Sequence, residues 1–433
     1  MSIIRENMKN KIVCLILLCQ IILILKSLNM QIIPSTFAND NTIIVEPGES
    51  IQEAINNASD GQTILIKKGE YTIEYPILVN KTVILIGESV NETIIDGQDT
   101  ATAILNILED RAEIQNLTLR NAQSSFGYGF HLRKVSYAKI QNCHIEHCTD
   151  GIYVTNSSDC EISRNFITNN YEYGAYFAGN SSHNMVFWNT IKNNTQGIFV
   201  DLNCKKNTFY QNNFVQNSLQ VSGLGALANF WNSTYPVAGN YWSDHVSVDF
   251  KSGYYQNETR SDGIADEVYE QPSAVTDSYP FMGYINVFQA LQLENKQHHV
   301  LVSSNASTVS NFHFDHIGNF LNFTLSGDPE TGFCRVIIPR QLMWVEDGSW
   351  LVTIAEEEIE YSLVEDENCT YIGFEYNALV AKTVKIQGTD SILEFSNMIL
   401  LIVTIIITAL VIFTKKFLST THGNFKLLSK ILT

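Results

Sequence analysis

The sequence predicts an all-β protein: a right-handed parallel β-helix, followed by a small β-sandwich and one C-terminal transmembrane helix. Three observations support this prediction. Residues 129–220 repeat about every 23 residues, residues 300–388 contain six short alternating strands, and residues 398–414 form an apolar run that two lysines follow. The repeat units open at spacings of 22, 23 and 23 residues, on Gly129, Gly151, Gly174 and Gly197.

The repeat indicates a solenoid. Each opening is a short apolar strand, and a second, weakly matching strand follows about ten residues later. Two or three short strands per unit without helical periodicity are typical of stacked coils, since one unit cannot bury its apolar face alone. Neighbouring coils then pair as parallel strands about 4.8 Å apart, and the usual crossover chirality makes the helix right-handed. Six or seven coils fit between residues 82 and 220.

Asparagines recur at equivalent places in the coils. Asn165, Asn189 and Asn212 are spaced by 24 and 23 residues and lie at predicted turns. Asparagine tolerates left-handed backbone and hydrogen-bonds neighbouring main chain. We therefore expect these side chains to stack and to satisfy the polar groups of the turns.

Residues 1–38 have the features of a signal peptide. Basic residues precede the apolar run 12–25, and Thr36–Ala38 offers a small-residue cleavage site. The run has 14 residues, which is short for a helix that spans a bilayer. A cleaved signal peptide is therefore favoured over an anchor.

The β-helix with its N-terminal cap is expected over residues 42–240. Ser50–Asn56 reads as a short amphipathic helix in which Ser50 and Glu53 form a capping box. Such a helix would cover the unpaired strand edge at the open end of the solenoid. Residues 241–285 form an acidic and aromatic C-terminal cap. Aromatic residues around its start can seal the far end, namely Phe230, Trp231, Tyr235, Tyr241 and Trp242.

The remainder divides into four segments. Residues 286–299 form a connector within a helix-like stretch, 283–299, and residues 300–390 form the β-sandwich. Cys334 and Cys369 lie in different strands of it and are candidates for a disulfide. The transmembrane helix is predicted over 397–414, and the lysine-rich tail 415–433 is cytoplasmic by the positive-inside rule.

Composition and charge limit the kinds of partner that the protein can bind. The net charge of −18 and the pI near 4.9 argue against nucleic acid, because phosphate binding needs a basic face. We expect a single-pass protein of the cell membrane with its bulk outside the cytoplasm. Twelve Asn-x-Ser/Thr sequons lie in that outer part, which predicts a glycoprotein.

Three motifs follow the last clear coil: Gly239–Asp244 (GNYWSD), Asp262–Asp266 (DGIAD) and Asp277–Met282 (DSYPFM). Together with the Asn-rich coils they resemble the periplasmic copper-binding NosD family and its archaeal, membrane-anchored relatives. The resemblance covers roughly residues 42–285. It implies a parallel β-helix and, from the family's label, copper handling.

One short motif concentrates metal donors. Cys143, His144, His147 and Cys148 are the candidate copper ligands, since thiolate and imidazole both suit copper. In a strand, however, alternate residues face opposite ways. The alternative is that the cysteines pack in the core, or pair with Cys160 or Cys204, while the histidines are solvated.

Asp262 and Asp266 are the candidate calcium ligands, because calcium prefers several oxygens on a flexible loop. The alternative is a solvated acidic turn, and Arg260 next to it opposes a second cation. Copper and calcium are thus the only candidate cofactors that the motifs indicate.

The predicted function is a carbohydrate-binding, scaffolding or adhesion module with surface glycans or envelope proteins as partners. Around the repeat openings, outward rings could stack on sugars, although they could also point into the core; these are Tyr153, Tyr173, Tyr176 and Phe199. The first alternative is a copper-delivery protein. The second is a polysaccharide lyase or hydrolase, which needs two facing carboxylates. Asp150, Glu172 and Gln196 are expected at one turn, but one pair of acids in a column is also what a soluble surface supplies.

Overall fold

The computed structural model of the protein describes residues 42–293, 296–306, 308–327, 332–346, 349–377 and 381–391. The predicted signal peptide, transmembrane helix and cytoplasmic tail lie outside these residues. Within the described ranges, no helix has the length and apolarity needed to cross a membrane.

The chain enters the solenoid through a strand and a short helix. Strand β1 (Ile43–Val45) is followed by helix α1 (Ile51–Asn57), and the backbone N–H of Glu53 donates to the Ser50 hydroxyl at 3.2 Å. The capping prediction is therefore confirmed for Ser50. The buried side chains of Ile51 and Ile55 pack the apolar side of α1 against the end of the core.

The β-helix has about eight turns of the right-handed type, built from three strands per turn. In chain order its further strands are β2 Thr63–Ile66, β3 Gly69–Thr72, β4 Ile77–Val79, β5 Ile84–Gly87, β6 Thr93–Asp96, β7 Ala103–Ile107, β8 Glu113–Gln115, β9 Thr118–Arg120, β10 Tyr128–Arg133, β11 Lys139–Gln141, β12 His144–Glu146, β13 Asp150–Thr155, β14 Glu161–Ser163, β15 Phe166–Thr168, β16 Tyr173–Ala178, β17 Met185–Phe187, β18 Thr190–Lys192, β19 Gln196–Val200, β20 Thr208–Tyr210, β21 Asn213–Val215, β22 Leu219–Ser222 and β23 Tyr241–Trp242.

These strands form three parallel sheets that run along the solenoid. The opening sheet contains the strands that carry the repeat glycines, in the order β4-β7-β10-β13-β16-β19-β22. The middle sheet is β1-β2-β5-β8-β11-β14-β17-β20, and the closing sheet is β3-β6-β9-β12-β15-β18-β21-β23. The parallel β-helix predicted from the 23-residue repeat is confirmed.

In five successive turns, from β8/β9 to β20/β21, a corner of two residues separates the middle strand from the closing strand. Its first residue has left-handed backbone and points outward, as Asn142 (φ 51°) and Arg164 (φ 57°) do. Its second residue points inward and is buried, as Cys143 and Asn165 are. Each weak second strand of the repeat is thereby split into two short strands.

The expected asparagine stacking is confirmed, and it occurs at three corners. In each ladder the side-chain oxygen of one Asn accepts the backbone N–H and the side-chain N–H of the Asn one turn before. The ladders are Asn165–Asn189–Asn212–Asn240, Asn170–Asn194–Asn217 and Asn184–Asn207–Asn229. Buried polar groups of the corners are thus hydrogen-bonded within the solenoid.

The far end of the core is sealed by aromatic rings, as predicted for Trp231 and Trp242, whereas Tyr235 and Tyr241 pack against a separate apolar cluster. Trp231 stacks on Phe209 with centroids 4.3 Å apart, and Trp242 stacks on Phe214 at 4.2 Å. Both tryptophans are buried, whereas Phe230 is exposed and takes no part in the seal. A 3-10 turn (Ala226–Ala228) precedes the seal, and Trp231 Nε1 donates to the Ala226 carbonyl at 3.0 Å. Two small antiparallel pairs follow it in the chain, β24 Lys251–Ser252 with β25 Glu258–Thr259 and β26 Tyr269–Gln271 with β27 Val275–Asp277.

Two five-stranded antiparallel sheets with a common apolar core follow, as expected for a β-sandwich. The first has the order β28-β29-β32-β37-β36, and the second has the order β30-β31-β38-β34-β35. Their strands, with the short pair β33/β39, are β28 Tyr284–Leu293, β29 Lys296–Ser304, β30 Thr308–Asp315, β31 Phe320–Ser326, β32 Gly332–Pro339, β33 Met343–Trp344, β34 Leu351–Ile354, β35 Glu357–Glu358, β36 Ser362–Glu365, β37 Cys369–Tyr376, β38 Lys382–Gln387 and β39 Asp390–Ser391.

The expectation of a helix-like connector over 283–299 is wrong. These residues form β28 and the first part of β29, an antiparallel hairpin at the edge of the first sandwich sheet. The alternation of Ile285, Val287 and Gln289 has the period of a strand, and pairing with β32 outweighs weak local helix propensity.

The hairpin also fastens the sandwich to the β-helix. The side chain of Asn213 accepts the backbone N–H of Ile285 at 2.8 Å and donates to its carbonyl at 2.9 Å. The hydroxyls of Thr190 and Tyr284 lie 2.8 Å apart. A side of the closing sheet is therefore held next to the hairpin.

Candidate functional site

The outer surface of the opening sheet carries a continuous group of aromatic side chains. On β10 the inward Phe130 and Leu132 are fully buried, and on the outward side Tyr128 and His131 are half-buried. The in-register pairing of β10, β13, β16 and β19 extends this alternation over four turns. We call the outward group the aromatic face; it consists of Tyr128, His131, Tyr153, Tyr173, Tyr176 and Phe199.

The rings of the aromatic face contact one another from turn to turn. Tyr128 and Tyr153 stack with centroids 4.5 Å apart, and Tyr153 lies 4.9 Å from Tyr176 at an interplanar angle of 47°. Tyr176 and Phe199 meet edge to face at 4.9 Å. The rings expected at the repeat openings thus point outward and do not form the core.

Small residues border the aromatic face at both ends. Tyr128 pairs with Ala103 on the preceding turn, and Phe199 pairs with Ser222 on the following turn. Within these rows, no ring covers the side of Tyr128 that faces the preceding turn or the side of Phe199 that faces the following turn. Both ends therefore leave apolar ring surface open to a ligand.

One carboxyl group lies inside the aromatic face. Asp150 occupies the row between Tyr128 and Tyr173 and is only 4% exposed. The Tyr173 backbone N–H donates to its Oδ1 at 3.3 Å. Burial raises the pKa of Asp150 to about 7, and the nearby Glu172 charge adds to the shift. Near neutral pH this carboxyl can give or take a proton.

A second carboxyl does not stand directly above Asp150. Its row continues with Tyr173 and Gln196, and Glu172 precedes Tyr173 as an exposed residue. His131 is also a weak base here, because burial lowers its pKa to about 4. Its Nε2 lies 3.0 Å from the Thr155 hydroxyl.

The candidate copper ligands lie on two sides of the closing sheet. The thiols of Cys143 and Cys148 occupy inward corner positions, are buried, and have their pKa raised by burial to about 12. His144 and His147 point outward, with His144 Nε2 3.5 Å and His147 Nδ1 3.7 Å from Glu146 Oε2. The structure therefore groups the imidazoles with Glu146 and separates them from the thiols.

Burial lowers the pKa of His144, and its buried Nε2 has no hydrogen-bond partner in the described part of the chain. The 3.5 Å approach to Glu146 is too long to replace one. Among the described residues no group of three or more His, Cys, Asp or Glu side chains is arranged to hold a metal ion. The copper site stays a prediction.

The candidate calcium ligands, Asp262 and Asp266, also contact different groups. Asp266 accepts the backbone N–H groups of Phe250 and Lys251. Asp262 is 1% exposed, and the Arg335 guanidinium donates to its backbone carbonyl. The Arg335 guanidinium is a fixed positive charge at this turn and therefore repels a bound calcium ion. Calcium binding here also stays a prediction.

The candidate disulfide does not form. Cys334 pairs with Phe374 across β32 and β37, while Cys369 pairs with Pro339 at the other end of the same two strands. Five residues of extended strand separate them, roughly 17 Å at about 3.4 Å per residue. This exceeds the reach of a disulfide. The cysteines of the described residues are free.

These features define a repeat protein of the parallel β-helix class with an aromatic outer face on one sheet. Residues 55–247 match the model of the family described as periplasmic copper-binding protein (NosD). The resemblance predicted from the coils and the end motifs is thus confirmed over that range.

Several carbohydrate-active proteins are similar to parts of the chain. It is 26% identical over 148 residues to pectate lyase PEL9 from Emericella nidulans, and the match spans 33% of either protein. The chain therefore spans about a third of that relative's length. Among solved structures, pectin methylesterase PemA from Erwinia chrysanthemi is 16% identical with a TM-score of 0.28, covering 44% of this chain and 71% of that one. The catalytic domain of a GH87 alpha-1,3-glucanase in complex with nigerose is 19% identical with a TM-score of 0.29, covering 49% of this chain and 40% of that one.

Proposed function

We propose that the protein binds glycans along the aromatic face of its β-helix. The observation that supports this proposal is the contiguous set of outward rings that runs over four turns of the opening sheet. Aromatic rings offer apolar surface to the C–H groups of sugars, and tyrosine hydroxyls add hydrogen-bonding groups at the same surface. A rigid scaffold can present such a surface without catalytic groups.

The geometry favours an extended glycan over a single sugar. The side chains of the aromatic face form rows along the solenoid axis. Each turn contributes one side chain to a row, and neighbouring turns are about 4.8 Å apart. A polymer lying along the axis meets the same kind of side chain at regular intervals. Several weak contacts in a row then add up to a useful affinity.

Charge favours a neutral glycan at this face. Burial raises the pKa of Tyr153 and of Tyr173, and the charges of Asp150 and Asp201 add to the shift of Tyr153, as that of Glu172 does for Tyr173. These carboxylates beside the rings also repel acidic sugars. With a net charge of −18 on the whole chain, distant charges do not reverse this preference.

The test is binding of the full-length chain to a panel of immobilised neutral and acidic polysaccharides. The double variant Tyr153→Ala/Tyr176→Ala should lose at least tenfold in affinity for the neutral glycan that wild type retains. Tyr75→Ala is the matched control, since Tyr75 is 79% exposed and lies outside the aromatic face. Retention of every glycan by the double variant at wild-type strength would overturn the proposal.

Asp150 supports a second candidate function, cleavage of a polysaccharide bound at the same face. A buried carboxyl with a pKa near 7 can act as a general acid in glycoside cleavage. Incubation with the retained glycan, followed by reducing-end analysis, tests this. New reducing ends that disappear in Asp150→Asn would support it, and an intact glycan would reject it.

The proposed place of action is the cell surface. The apolar stretch 397–414, followed by Lys415 and Lys416, supports membrane attachment at the C-terminus. Surface glycans or envelope proteins are then the partners within reach. Protease treatment of intact cells, with detection of the β-helix, tests the orientation.

A further inference from the structure

A second concave surface lies on the other side of the solenoid, between the β-helix and the β28–β29 hairpin. It is a cleft of about 380 Å³, within the size range of small-ligand sites. One wall is the column of outward corner residues that includes Asn142, Arg164 and Trp188, and the other wall is formed by hairpin residues that include Asn286 and His299. The Asn213–Ile285 and Thr190–Tyr284 contacts hold the two walls together.

Arg164 is the charged group of this cleft. Its guanidinium lies 6.0 Å from the centre of the Trp188 ring, and it makes no hydrogen bond or ion pair with any described residue. Glu161 acts on it only through space, and burial lowers the pKa of Arg164. Guanidinium groups that are withdrawn from water without an acceptor are unfavourable unless a ligand supplies one.

The surroundings of Arg164 fit an anion that belongs to a polar molecule. None of the described residues that line the cleft is Asp or Glu, although the chain as a whole carries a net charge of −18. His299 is uncharged at neutral pH, because burial and the nearby Arg164 charge lower its pKa to about 4. Amide side chains, including Asn142, Asn286 and Gln297, supply the remaining donors and acceptors.

We propose that this cleft binds a carboxylate-bearing sugar residue, with Arg164 holding the carboxylate. A guanidinium pairs with a planar carboxylate through two parallel hydrogen bonds. The surrounding amides then face the sugar hydroxyls, and Trp188 offers apolar surface to the ring. This site is independent of the aromatic face, since it lies at the corner between the middle and closing sheets and favours an acidic sugar, whereas the aromatic face favours a neutral glycan.

The fold offers a substitution at Arg164 that keeps the corner intact. Arg164 has left-handed backbone with φ 57°, and Asn142 occupies the same corner one turn earlier with φ 51°. Arg164→Asn therefore removes the cation and keeps a residue that accepts this conformation. Lys206→Asn serves as the matched control, because it removes an exposed cation that also has left-handed backbone, φ 60°, and does not line the cleft.

The experiment is calorimetric titration of the full-length chain with D-glucuronate, D-glucose and sulfate. We expect glucuronate to bind at least tenfold more tightly than glucose, Arg164→Asn to lose at least tenfold in glucuronate affinity, and Lys206→Asn to match wild type. Equal binding of glucose and glucuronate, no binding of glucuronate, or unchanged affinity in Arg164→Asn would each overturn the proposal. Displacement of glucuronate by an equal concentration of sulfate would overturn it too, as it would show an anion site without sugar recognition.

Discussion

Asn165 and Asn189 occupy the same corner of successive turns, and Oδ1 of Asn189 accepts both the backbone N–H and the side-chain N–H of Asn165, each at 2.9 Å. Asn189 in turn donates to Oδ1 of Asn212 at 3.0 Å. One amide therefore satisfies the corner of its own turn and that of the turn before it. Since both side chains are buried, no water can replace these bonds.

The first prediction concerns this ladder. Asn189→Ala should reduce the free energy of unfolding by about 3 kcal/mol or more, because it leaves several buried donors and acceptors unpaired. Urea unfolding followed by circular dichroism measures the change. Asn57→Ala is the control: Asn57 is exposed at the end of α1, and its loss should change stability by less than about 0.5 kcal/mol. A loss for Asn189→Ala no larger than that of the control would contradict the role of the ladder.

The ladder also shows how much of the corner structure can be predicted from the sequence alone. The spacing of Asn165, Asn189 and Asn212 was enough to predict a stack, because inward corner residues repeat once per turn. All three ladders begin at a cysteine: the backbone N–H groups of Cys143, Cys148 and Cys160 donate to Asn165, Asn170 and Asn184. Because a cysteine stands in place of an asparagine there, the asparagine repeat cannot be recognised in the sequence at the first turn of a ladder.

The candidate sites were harder to predict for a physical reason. The outward direction of the aromatic face follows from the strand register, which the repeat glycines set. The cleft at Arg164 instead joins residues more than a hundred positions apart, such as Arg164 and His299. Nothing in the local pattern of β28 indicates that it packs on the solenoid.

The second prediction is a stability maximum at mildly acidic pH. Burial raises the pKa of Asp150, Asp249 and Asp277 to about 7 from an ordinary value of 3.8. The native state therefore holds these protons more tightly than the unfolded chain does. The stabilisation is complete below the unfolded pKa and is lost as the pH rises through about 7. We expect the Tm to be several degrees higher at pH 5 than at pH 8.

A matched variant checks this pH dependence. Asp150→Asn removes one of the three titrating groups, and its side-chain oxygen can still accept the Tyr173 N–H. The difference in Tm between pH 5 and pH 8 should therefore be smaller in the variant. Ion pairs lower the pKa of Glu88 and Glu92, so their stabilisation is lost only at more acidic pH, as the pH falls through their folded pKa values. A Tm that rises steadily from pH 5 to pH 8 would contradict the prediction.

The third prediction concerns copper. A copper site at the 143–148 motif uses the imidazoles of His144 and His147, since both approach Glu146 on the outer side of the sheet while the thiols point into the core. Imidazole and carboxylate suit Cu²⁺, and Cu⁺ prefers thiolate. Titration with Cu²⁺ should show uptake that falls in His144→Ala and stays unchanged in Cys148→Ser. The reverse order of the two variants would place the ligands in the core.

The fourth prediction concerns the contact between the sandwich and the C-terminal cap of the β-helix. Arg335, on β32, is 1% exposed and donates to the backbone carbonyls of Asp262 and Pro236. Its guanidinium also lies 5.2 Å from the centre of the Tyr371 ring. Arg335→Met keeps much of the apolar stem but leaves two carbonyls and the Asp262 carboxyl without their cation. We expect a loss of about 3 to 5 kcal/mol in the free energy of unfolding, as for other buried charges that lose a partner.

Limited proteolysis alongside thermal unfolding separates this docking from general damage. If Arg335 holds the two parts together, Arg335→Met should expose cleavage sites between residues 245 and 283 while the coils stay protected. Arg340→Met is the control, because the Arg340 side chain is 41% exposed, approaches Glu365 at 3.9 Å and donates to the exposed Asp366 carbonyl at 3.4 Å. A surface ion pair of this kind contributes about 0 to 1 kcal/mol. Equal destabilisation by the two variants would show that the buried guanidinium has no special part in holding the sandwich on the β-helix.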